Sequence, residues 1–379
     1  MILNISNQTL ENQKAFWTAK EIAQQPQTWR ETTEIVANSS IHSFIAPLVE
    51  RAKKGELRII FTGAGTSAFI GEVIAPVLSE QLGCVVEAIA STDLVSSPYQ
   101  YLFEDKPTLL VSFARSGNSP ESIGAVDRVN DIVKEAYHLA ITNNVKGALF
   151  VKCSQNPTSC YPLALPDSTH DQGFAMTSSA SNMMLAALLA FAPQRFNSQW
   201  VEHFSQVTEK LLAEDALAIQ TLAHLPVKRV VYLGSGGFQG LARETALKLL
   251  ELTAGERLGF FESTMGFRHG PKSLVQNETL IFVFLSQHTY TEKYDRDLYN
   301  ELIRDKKARE VILLGDTSGQ FHAEIYQLDD VARIFPFLVV GQLYSFYSSL
   351  HLGYTTDNPC PTGEVNRVVQ GVTLYSYNN

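Results

Sequence analysis

The segment Val111-Ser-Phe-Ala-Arg-Ser-Gly-Asn-Ser-Pro-Glu121 indicates the fold and contains a candidate site for an anion. Its apolar beginning, continuous with Leu109, predicts a buried strand, and Pro120 is typical of the first residue of a helix. A helix N-terminus offers unpaired N–H groups and partial positive charge, so it favours an anion, most often a phosphate. A capped turn without any ligand, with Ser119 as its N-cap, explains the same residues equally well.

A second glycine loop favours the phosphate. Strand-like residues from Arg58 to Phe61 are followed by Thr62-Gly-Ala-Gly-Thr-Ser-Ala68. This loop also matches the G-x-G-x-x-A pattern of a dinucleotide fold, with Glu87 near the position of a ribose-binding acid. A dinucleotide site uses mostly bare backbone, whereas Thr66 and Ser67 follow Gly65 with two hydroxyls. Two hydroxyl-rich loops at two strand ends suit one small phosphate better.

The composition limits the class of protein. The chain has 379 residues, 45% hydrophobic content and a net charge of −9, which suits two domains and argues against nucleic-acid binding. No signal peptide is visible, and the longest apolar run, Met183 to Ala192, is too short to span a membrane. The four cysteines show neither a C-x-x-C pair nor metal-ligand spacing. We therefore expect buried free thiols, a cytoplasmic location, and no metal or cofactor.

The strands of the first half recur in the second half. Val230–Gly240 repeats the first glycine loop, Thr279–Phe284 repeats Thr108–Phe113 at the same spacing, and Glu310–Leu314 repeats His138–Thr142 at nearly that spacing. The predicted class is α/β, with two tandem domains that are parallel-sheet, three-layer αβα sandwiches of flavodoxin-like type. The predicted segments are a helical arm over 1–44, a first domain over 45–199, a linking helix over 200–224 and a second domain over 225–379. Only the first copy keeps the serine loop, so we expect that copy to bind the phosphate.

The second copy carries residues suited to proton transfer. Glu244, Lys248 and Glu251 recur on one face of a predicted helix that is otherwise nearly all apolar. A solvated stripe with a surface salt bridge would contribute only ~0–1 kcal/mol. Carboxylates that are partly buried beside a strand-end crevice become usable bases near neutral pH. His269 follows on a loop held by flanking glycines and a proline, and this favours proton transfer over a purely structural role.

Together these motifs resemble those of proteins with two sugar isomerase (SIS) domains, from about residue 45 to the end. The chain is similar to the isomerase half of glucosamine-6-phosphate synthase. It resembles more closely the bacterial galactosamine-6-phosphate deaminase / tagatose-6-phosphate ketose-aldose isomerase family. The matching motifs are Arg115-Ser-Gly-Asn-Ser-Pro-Glu121, Phe174-Ala-Met-Thr-Ser-Ser179, Ala242-Arg-Glu-Thr-Ala-Leu-Lys-Leu-Leu-Glu251, Phe267-Arg-His-Gly-Pro271 and Asn366-Arg-Val-Val-Gln-Gly371.

The resemblance implies which residues hold the substrate. The phosphate-binding hydroxyls fall on Ser67, Ser116 and Ser119, and we add Gly65 and Thr66 from the same glycine loop. Arg115 stands where the synthase has a glutamine, and its guanidinium is suited to pairing with the phosphate. Further substrate contacts fall on Thr177, Ser178, Arg268 and Arg367. The synthase has a catalytic lysine in its tail, whereas this chain has no lysine after Lys307, so that role is lost or has passed to Arg367 or to a water.

The resemblance also implies the acid–base groups. The glutamate that moves a proton between C1 and C2 of the sugar falls on Glu251, and we expect Lys248 and Glu244 to tune it. The ring-opening histidine falls on His269, which in this family reaches in from the neighbouring subunit. We therefore expect at least a homodimer with an active site shared between subunits.

The sequence contains no glutaminase segment that would supply ammonia for the synthesis of an amino sugar. We therefore expect the reaction to run in the opposite direction and to release ammonia. A hexosamine 6-phosphate, first of all galactosamine 6-phosphate, would yield tagatose 6-phosphate and ammonia. The galacto and gluco epimers differ by one hydroxyl, so the sequence leaves both open. Plain ketose–aldose isomerisation of a sugar phosphate needs the same proton shuttle and is the main alternative. A non-catalytic sugar-phosphate sensor is disfavoured, because no basic helix-turn-helix segment is visible.

Overall fold

The computed structural model describes residues 1–319, 321–369 and 371–377. A first sheet contains β1 (Arg58–Thr62), β2 (Val86–Ala88), β3 (Thr108–Ala114), β4 (Ala136–Thr142) and β5 (Cys160–Ala164), in the order β2-β1-β3-β4-β5. A second sheet contains β6 (Arg229–Gly234), β7 (Leu258–Glu262), β8 (Thr279–Phe284) and β9 (Glu310–Leu314), in the order β7-β6-β8-β9. All of these strand pairs are parallel. The predicted α/β class with parallel sheets is confirmed.

Helices precede, connect and follow the strands. They are α1 (Asn7–Asn12), α2 (Phe16–Ala23), α3 (Gln25–Asn38), α4 (Ile41–Lys53), α5 (Thr66–Leu82), α6 (Ser91–Ser96), α7 (Pro98–Tyr101), α8 (Pro120–Ile132), α9 (Ala148–Ser154), α10 (Ser178–Phe191), α11 (Ser198–Lys210), α12 (Ala216–Ala223), α13 (Gly237–Leu252), α14 (Thr291–Asp305) and α15 (Asp330–Leu352). A π turn, Leu211–Asp215, joins α11 to α12, so the predicted linking helix has three segments. Within the described part of the chain, no helix combines the length and the hydrophobicity needed to cross a membrane.

The chain divides into two compact units, and the division departs from the predicted boundaries. Unit 1 comprises Met1–Gln27, Asp171–Thr177 and Gln199–Thr362. Unit 2 comprises Thr28–His170, Ser178–Ser198 and the C-terminal segment from Gly363. The predicted arm is split because its second part bonds to α10, where the Trp29 indole donates to Ser181 Oγ at 2.9 Å. The tail belongs to unit 2, not to the unit that contains the second sheet.

Helices cover both faces of the first sheet in unit 2. Ile60 and Leu110 belong to a buried cluster that includes residues of α6, α8 and α9. On the opposite face, the Phe61 ring packs edge to face against Phe113 and against Phe191 of α10. Alternate residues of a strand point to opposite faces, so a sheet buried on both sides needs the nearly continuous apolar runs that the sequence shows.

The second sheet, in unit 1, is covered in the same way. Val231 and Ile281 face a cluster with Leu298 of α14. On the other side, the ring of Phe282 packs against Tyr344 of α15. The three strands that were predicted to recur are confirmed as β1 and β6, β3 and β8, and β4 and β9.

Cys153 and Cys160 form a disulfide, so the prediction of free thiols is wrong for these two residues. Cys153 lies on α9 and Cys160 begins β5, and the packing of α9 against β5 brings their Cα atoms to 5.2 Å. That separation is within the range that a disulfide requires. The spacing in the sequence does not show this contact, because it depends on the turn between the two elements. Cys84 and Cys360 are free and half-buried.

Candidate active site

The first glycine loop places two hydroxyls at the N-terminus of α5. A Cβ at Gly63 would lie 2.5 Å from the carbonyl carbon of Ser67, so only glycine permits this tight turn. Gly65 is the N-cap and has φ +57, a left-handed value that glycine adopts readily. Thr66 and Ser67 begin the helix and are buried. The loop therefore presents N–H groups and hydroxyls together at the carboxyl end of β1.

The serine loop caps α8 as the sequence predicts. Ser119 is the N-cap, Pro120 follows at the first helical position, and Ser119 Oγ accepts from the Ser122 amide at 3.4 Å. The two serine hydroxyls also lie 2.7 Å apart. Ser116 is half-buried, and its carbonyl accepts from Asn144 Nδ2 at 2.8 Å. The segment that follows β4 therefore stabilises the conformation of the serine loop.

Both loops lie at the same edge of the first sheet, because β1 and β3 are neighbours with Thr62 beside Ser112. Two helices begin at this edge, and each helix N-terminus attracts an anion. Arg115 is buried next to the serine loop, and its Nη2 donates to the backbone carbonyl of Arg367 at 2.8 Å. The structure therefore brings together the residues predicted to bind phosphate, and it adds the tail to their surroundings.

Replacing Ser116 or Ser119 by alanine is expected to weaken phosphate binding. Each substitution removes a hydroxyl that can donate to a charged oxygen, which is worth roughly 1–2 kcal/mol. The measurement is calorimetric titration with inorganic phosphate. Ser154→Ala is the control, since Ser154 is exposed on α9 and its hydroxyl bonds within its own helix. Wild-type affinity in both variants would exclude this edge as the phosphate site.

The second copy of the glycine loop has the same geometry as the first. Gly236 has φ +60 and ψ −129, and Gly65 has φ +57 and ψ −129. A Cβ at Gly234 would lie 2.5 Å from the Cβ of Phe238. The repeat therefore extends from the strands to the backbone of the loop.

Carboxylates of the chain itself occupy the matching edge of the second sheet. The buried Asp295 accepts from the Ser235 hydroxyl at 2.7 Å and from the Ser286 amide at 3.0 Å. Asp330 accepts from the Gln287 amide at 2.5 Å. Burial raises the pKa of Asp295 above its ordinary value. These carboxylates already occupy hydrogen-bond donors at that edge. This agrees with the expectation that phosphate binds in the first copy and not in the second.

The charged face of α13 is buried, so it is not a solvated stripe. The side chains of Glu244 and Lys248 are 0% exposed, and that of Glu251 is 24% exposed. Lys248 Nζ lies 2.5 Å from Glu251 Oε2 and 3.5 Å from Glu244 Oε1. The ammonium group thus lies between two carboxylates, and Glu251 is the member of this cluster that a substrate can reach.

His269 is exposed on a loop with a constrained backbone. A 3₁₀ turn, Gly266–Arg268, precedes it, and a second one, Pro271–Leu274, follows. Gly270 has φ +120, a conformation that favours glycine. The imidazole is therefore presented to the surroundings from a fixed position.

Ion pairs attach this histidine loop to α14. Arg268 contacts both Asp297 and Glu301 at 2.8 Å. Lys272 contacts Glu301 and, at 2.6 Å, Asp305. Arg268, a predicted substrate contact, is here bound to two carboxylates. Asp297, Glu301 and Asp305 recur every four residues along α14, a spacing that places them on one helix face. The sequence contains this signal, but our sequence analysis did not identify it.

Thr177, another predicted substrate contact, lies in a loop that carboxyl groups hold. Its amide donates to Asp171 Oδ2 at 2.8 Å, and Glu21 of α2 accepts from the amides of Gln172 and Gly173. Thr177 is fully buried, and so is Ser178 at the start of α10. Neither predicted contact has an exposed side chain, and the role of Glu21 was missed.

Burial, together with the nearby Asp171, raises the pKa of Glu21 to about 8. A carboxyl pKa that is raised on folding contributes stability at low pH that is lost as the pH rises through the folded value. We expect the free energy of unfolding to fall by on the order of 2–4 kcal/mol between about pH 5 and pH 9. The free energy of unfolding of Glu21→Gln should fall less over this pH range. Glu34 is exposed, so Glu34→Gln should show the same pH dependence as wild type. Urea unfolding measures this, and equal pH dependence in all three proteins would contradict it.

Comparison with known proteins defines the class first. A model of the SIS domain matches residues 53–193, so that part of the chain, which contains the first sheet, is a SIS domain. It is 46% identical over 372 residues to D-galactosamine-6-phosphate deaminase AgaS of Escherichia coli O157:H7, covering 95% of this chain and 96% of that protein. The crystal structure of tagatose-6-phosphate ketose/aldose isomerase from Escherichia coli matches with a TM-score of 0.87 at 43% identity, covering 96% of this chain and 97% of that one.

The chain belongs to the D-galactosamine-6-phosphate deaminase AgaS family of enzymes. A more distant relative is the glutamine–fructose-6-phosphate aminotransferase of Lactiplantibacillus plantarum, which is 24% identical over 358 residues. That match covers 91% of this chain and 57% of the aminotransferase. Both predicted resemblances are thereby confirmed.

Proposed function

We propose that the enzyme converts galactosamine 6-phosphate to tagatose 6-phosphate and ammonia. The observation that carries this proposal is the cluster on α13, where a buried Lys248 holds the carboxylate of a partly exposed Glu251. A positioned carboxylate is the group needed to move a proton between two neighbouring carbons. The similarity to a deaminase over nearly the whole chain gives the substrate.

The reaction has three chemical stages. The phosphate is held by the hydroxyls and helix N-termini of the glycine and serine loops, and His269 transfers the proton that opens the sugar ring. Glu251 then removes the C2 proton and returns a proton to C1, which leaves an imine at C2. Water adds to that imine, the C–N bond breaks, and ammonia leaves with a ketone at C2. The sum is one hexosamine phosphate and one water giving one ketose phosphate and one ammonia.

A direct assay separates this function from the alternatives. Purified protein is incubated with galactosamine 6-phosphate, and ammonia and ketose 6-phosphate are measured together. Equal amounts of both support the proposal, and a parallel incubation with glucosamine 6-phosphate tests the epimer. Interconversion of tagatose and galactose 6-phosphates without ammonia from either amino sugar would establish the plain isomerase. Binding without any turnover would establish a sensor. We expect a chelator to leave the rate unchanged.

We also propose that the enzyme acts as a homodimer or larger assembly in which His269 serves the active site of the neighbouring subunit. The exposed position of His269 on a firmly attached loop supports this arrangement. Mixing inactive Glu251→Gln with inactive His269→Ala should then restore some activity, because a mixed interface pairs one intact residue of each kind. No recovery, with subunit exchange demonstrated by differently tagged chains, would place both residues in one chain's site.

A further inference from the structure

A cavity of about 250 Å³ lies within unit 2, between the first sheet and the helices α8 and α9. Its walls include Ser112 of β3, His138 of β4 and Asn130 of α8. Lys152 lines another side, and the Cys153–Cys160 disulfide completes the wall. None of these residues belongs to the phosphate loops or to the acid–base cluster.

The cavity lies toward the opposite edge of the sheet from the phosphate loops. Asn156 and Ser159, which also line it, precede β5, and Asn130 lies near the end of α8 that leads into β4. These positions mark the amino ends of the strands, whereas the phosphate loops follow the carboxyl ends. Ser112 lies within β3, which ends at Ala114, and Ser116 lies in the loop beyond that end. The cavity shares no lining residue with the phosphate loops, and Leu149 borders both, because its amide donates to the Gly117 carbonyl of the serine loop at 3.0 Å.

Two buried polar atoms of the lining residues have no hydrogen-bond partner among the residues that the structure describes. These atoms are Ser112 Oγ and His138 Nδ1, and the two side chains are 4% and 7% exposed. They lie on the same face of neighbouring strands, because Leu110 pairs with His138 and Ser112 pairs with Ala140. Buried polar groups are costly when unpaired, and in native structures they are nearly always satisfied by protein, water or a ligand.

The chemistry of the lining favours hydroxyl groups. His138 Nε2 lies 2.8 Å from Asn130 Oδ1, which only accepts, so Nε2 carries the hydrogen and Nδ1 is left as an acceptor. Burial lowers the pKa of His138 to about 4, so the ring is neutral at pH 7. An acceptor at Nδ1 calls for a ligand donor, whereas Ser112 accepts or donates.

The charge balance argues against an anionic ligand. Lys152 is ion-paired with Asp127, so its ammonium brings no net charge to the cavity. The neutral imidazole presents a lone pair, which repels an anion. Asn156 and Ser159 add polar groups to the wall, and its apolar part includes Val126 and Leu149, which suit the carbon face of a sugar or polyol. The volume equals that of about eight water molecules, so it admits a small ligand only.

We propose that this cavity binds a small, neutral polyhydroxy compound of the size of a pentitol or smaller. A hydroxyl of the ligand donates to His138 Nδ1, and a second one pairs with Ser112 Oγ. The proposal does not depend on the reaction assigned above, since it uses a different set of residues.

The test is a calorimetric titration of the whole protein with xylitol, in the presence of saturating inorganic phosphate to occupy the phosphate loops. We expect saturable binding to wild type that is about tenfold weaker in Ser112→Ala. Ser205→Ala is the matched control, because Ser205 is equally buried with an unpartnered hydroxyl but lies on α11 in unit 1. It should bind xylitol as wild type does.

A second variant and a crystal soak keep the outcome decisive. His138→Phe fills the cavity and removes the acceptor, so it should abolish xylitol binding; where it fails to fold, Ser112→Val serves the same purpose. Density for xylitol between Ser112 and His138 in a soaked crystal would support the site. Absence of saturable binding to wild type, equal binding in Ser112→Ala, or density for sulfate in place of xylitol would overturn the proposal.

Discussion

Glu251→Gln is expected to lower turnover of galactosamine 6-phosphate by about 10²–10⁴-fold, the usual effect of removing a general base. Glutamine has nearly the same shape as glutamate but cannot take a proton from C2. Glu251 is the one member of the α13 cluster with an exposed side-chain fraction, so it is the group that meets the substrate. The rate is measured by ammonia release, and phosphate binding by calorimetry should not change.

The matched control for this prediction is Glu256→Gln. Glu256 follows α13, is exposed, and should be replaceable without effect on either measurement. A Glu251→Gln protein with activity within a few-fold of wild type would show that the cluster is structural. Loss of both turnover and phosphate binding would instead indicate a general disturbance of the fold.

Lys248→Met is expected to destabilise the protein by about 3–5 kcal/mol, because it removes a buried ammonium from between two carboxylates. The side chains of Lys248 and Glu244 are both inaccessible to solvent, so water cannot replace the lost interaction. Urea unfolding measures the free-energy change. Activity should fall as well, because Lys248 holds the Glu251 carboxylate at 2.5 Å.

Two further variants make this result interpretable. The double variant Glu244→Gln/Lys248→Met should recover part of the lost stability, because it also removes the buried Glu244 carboxylate that Lys248→Met leaves uncompensated. Lys228→Met removes an exposed ion pair with Glu278 and should cost less than about 1 kcal/mol. Equal, small effects of Lys248→Met and Lys228→Met would contradict the burial of the cluster.

The strands and the two loops were predictable because their signals are local. Buried parallel strands require continuous apolar runs, and the runs that end at Phe61, Phe113 and Phe284 coincide with β1, β3 and β8. The cap at Ser119 and Pro120 follows from the chemistry of a helix start. The three charged residues of α13 share a face because of helical periodicity.

The remaining features depend on contacts between segments that lie far apart in the sequence. The Cys153–Cys160 disulfide depends on how α9 turns back onto β5. Asp295 and Asp330 reach the edge of the second sheet from helices that follow it, so nothing in the loops there reveals them. The division of the arm after Gln27 depends on side-chain bonds from α3 to α10. Each of these contacts is fixed by packing and not by local pattern.

The central claim is that ammonia leaves after a proton is removed from C2, and not by direct replacement of the amino group by water. The most direct measurement uses galactosamine 6-phosphate carrying deuterium at C2, with the products followed by nuclear magnetic resonance and an ammonia assay. The account predicts ammonia and tagatose 6-phosphate in equal amounts, with every deuterium gone from C2. An aldose 6-phosphate that retains deuterium at C2, or a sugar phosphate formed without ammonia, would contradict it.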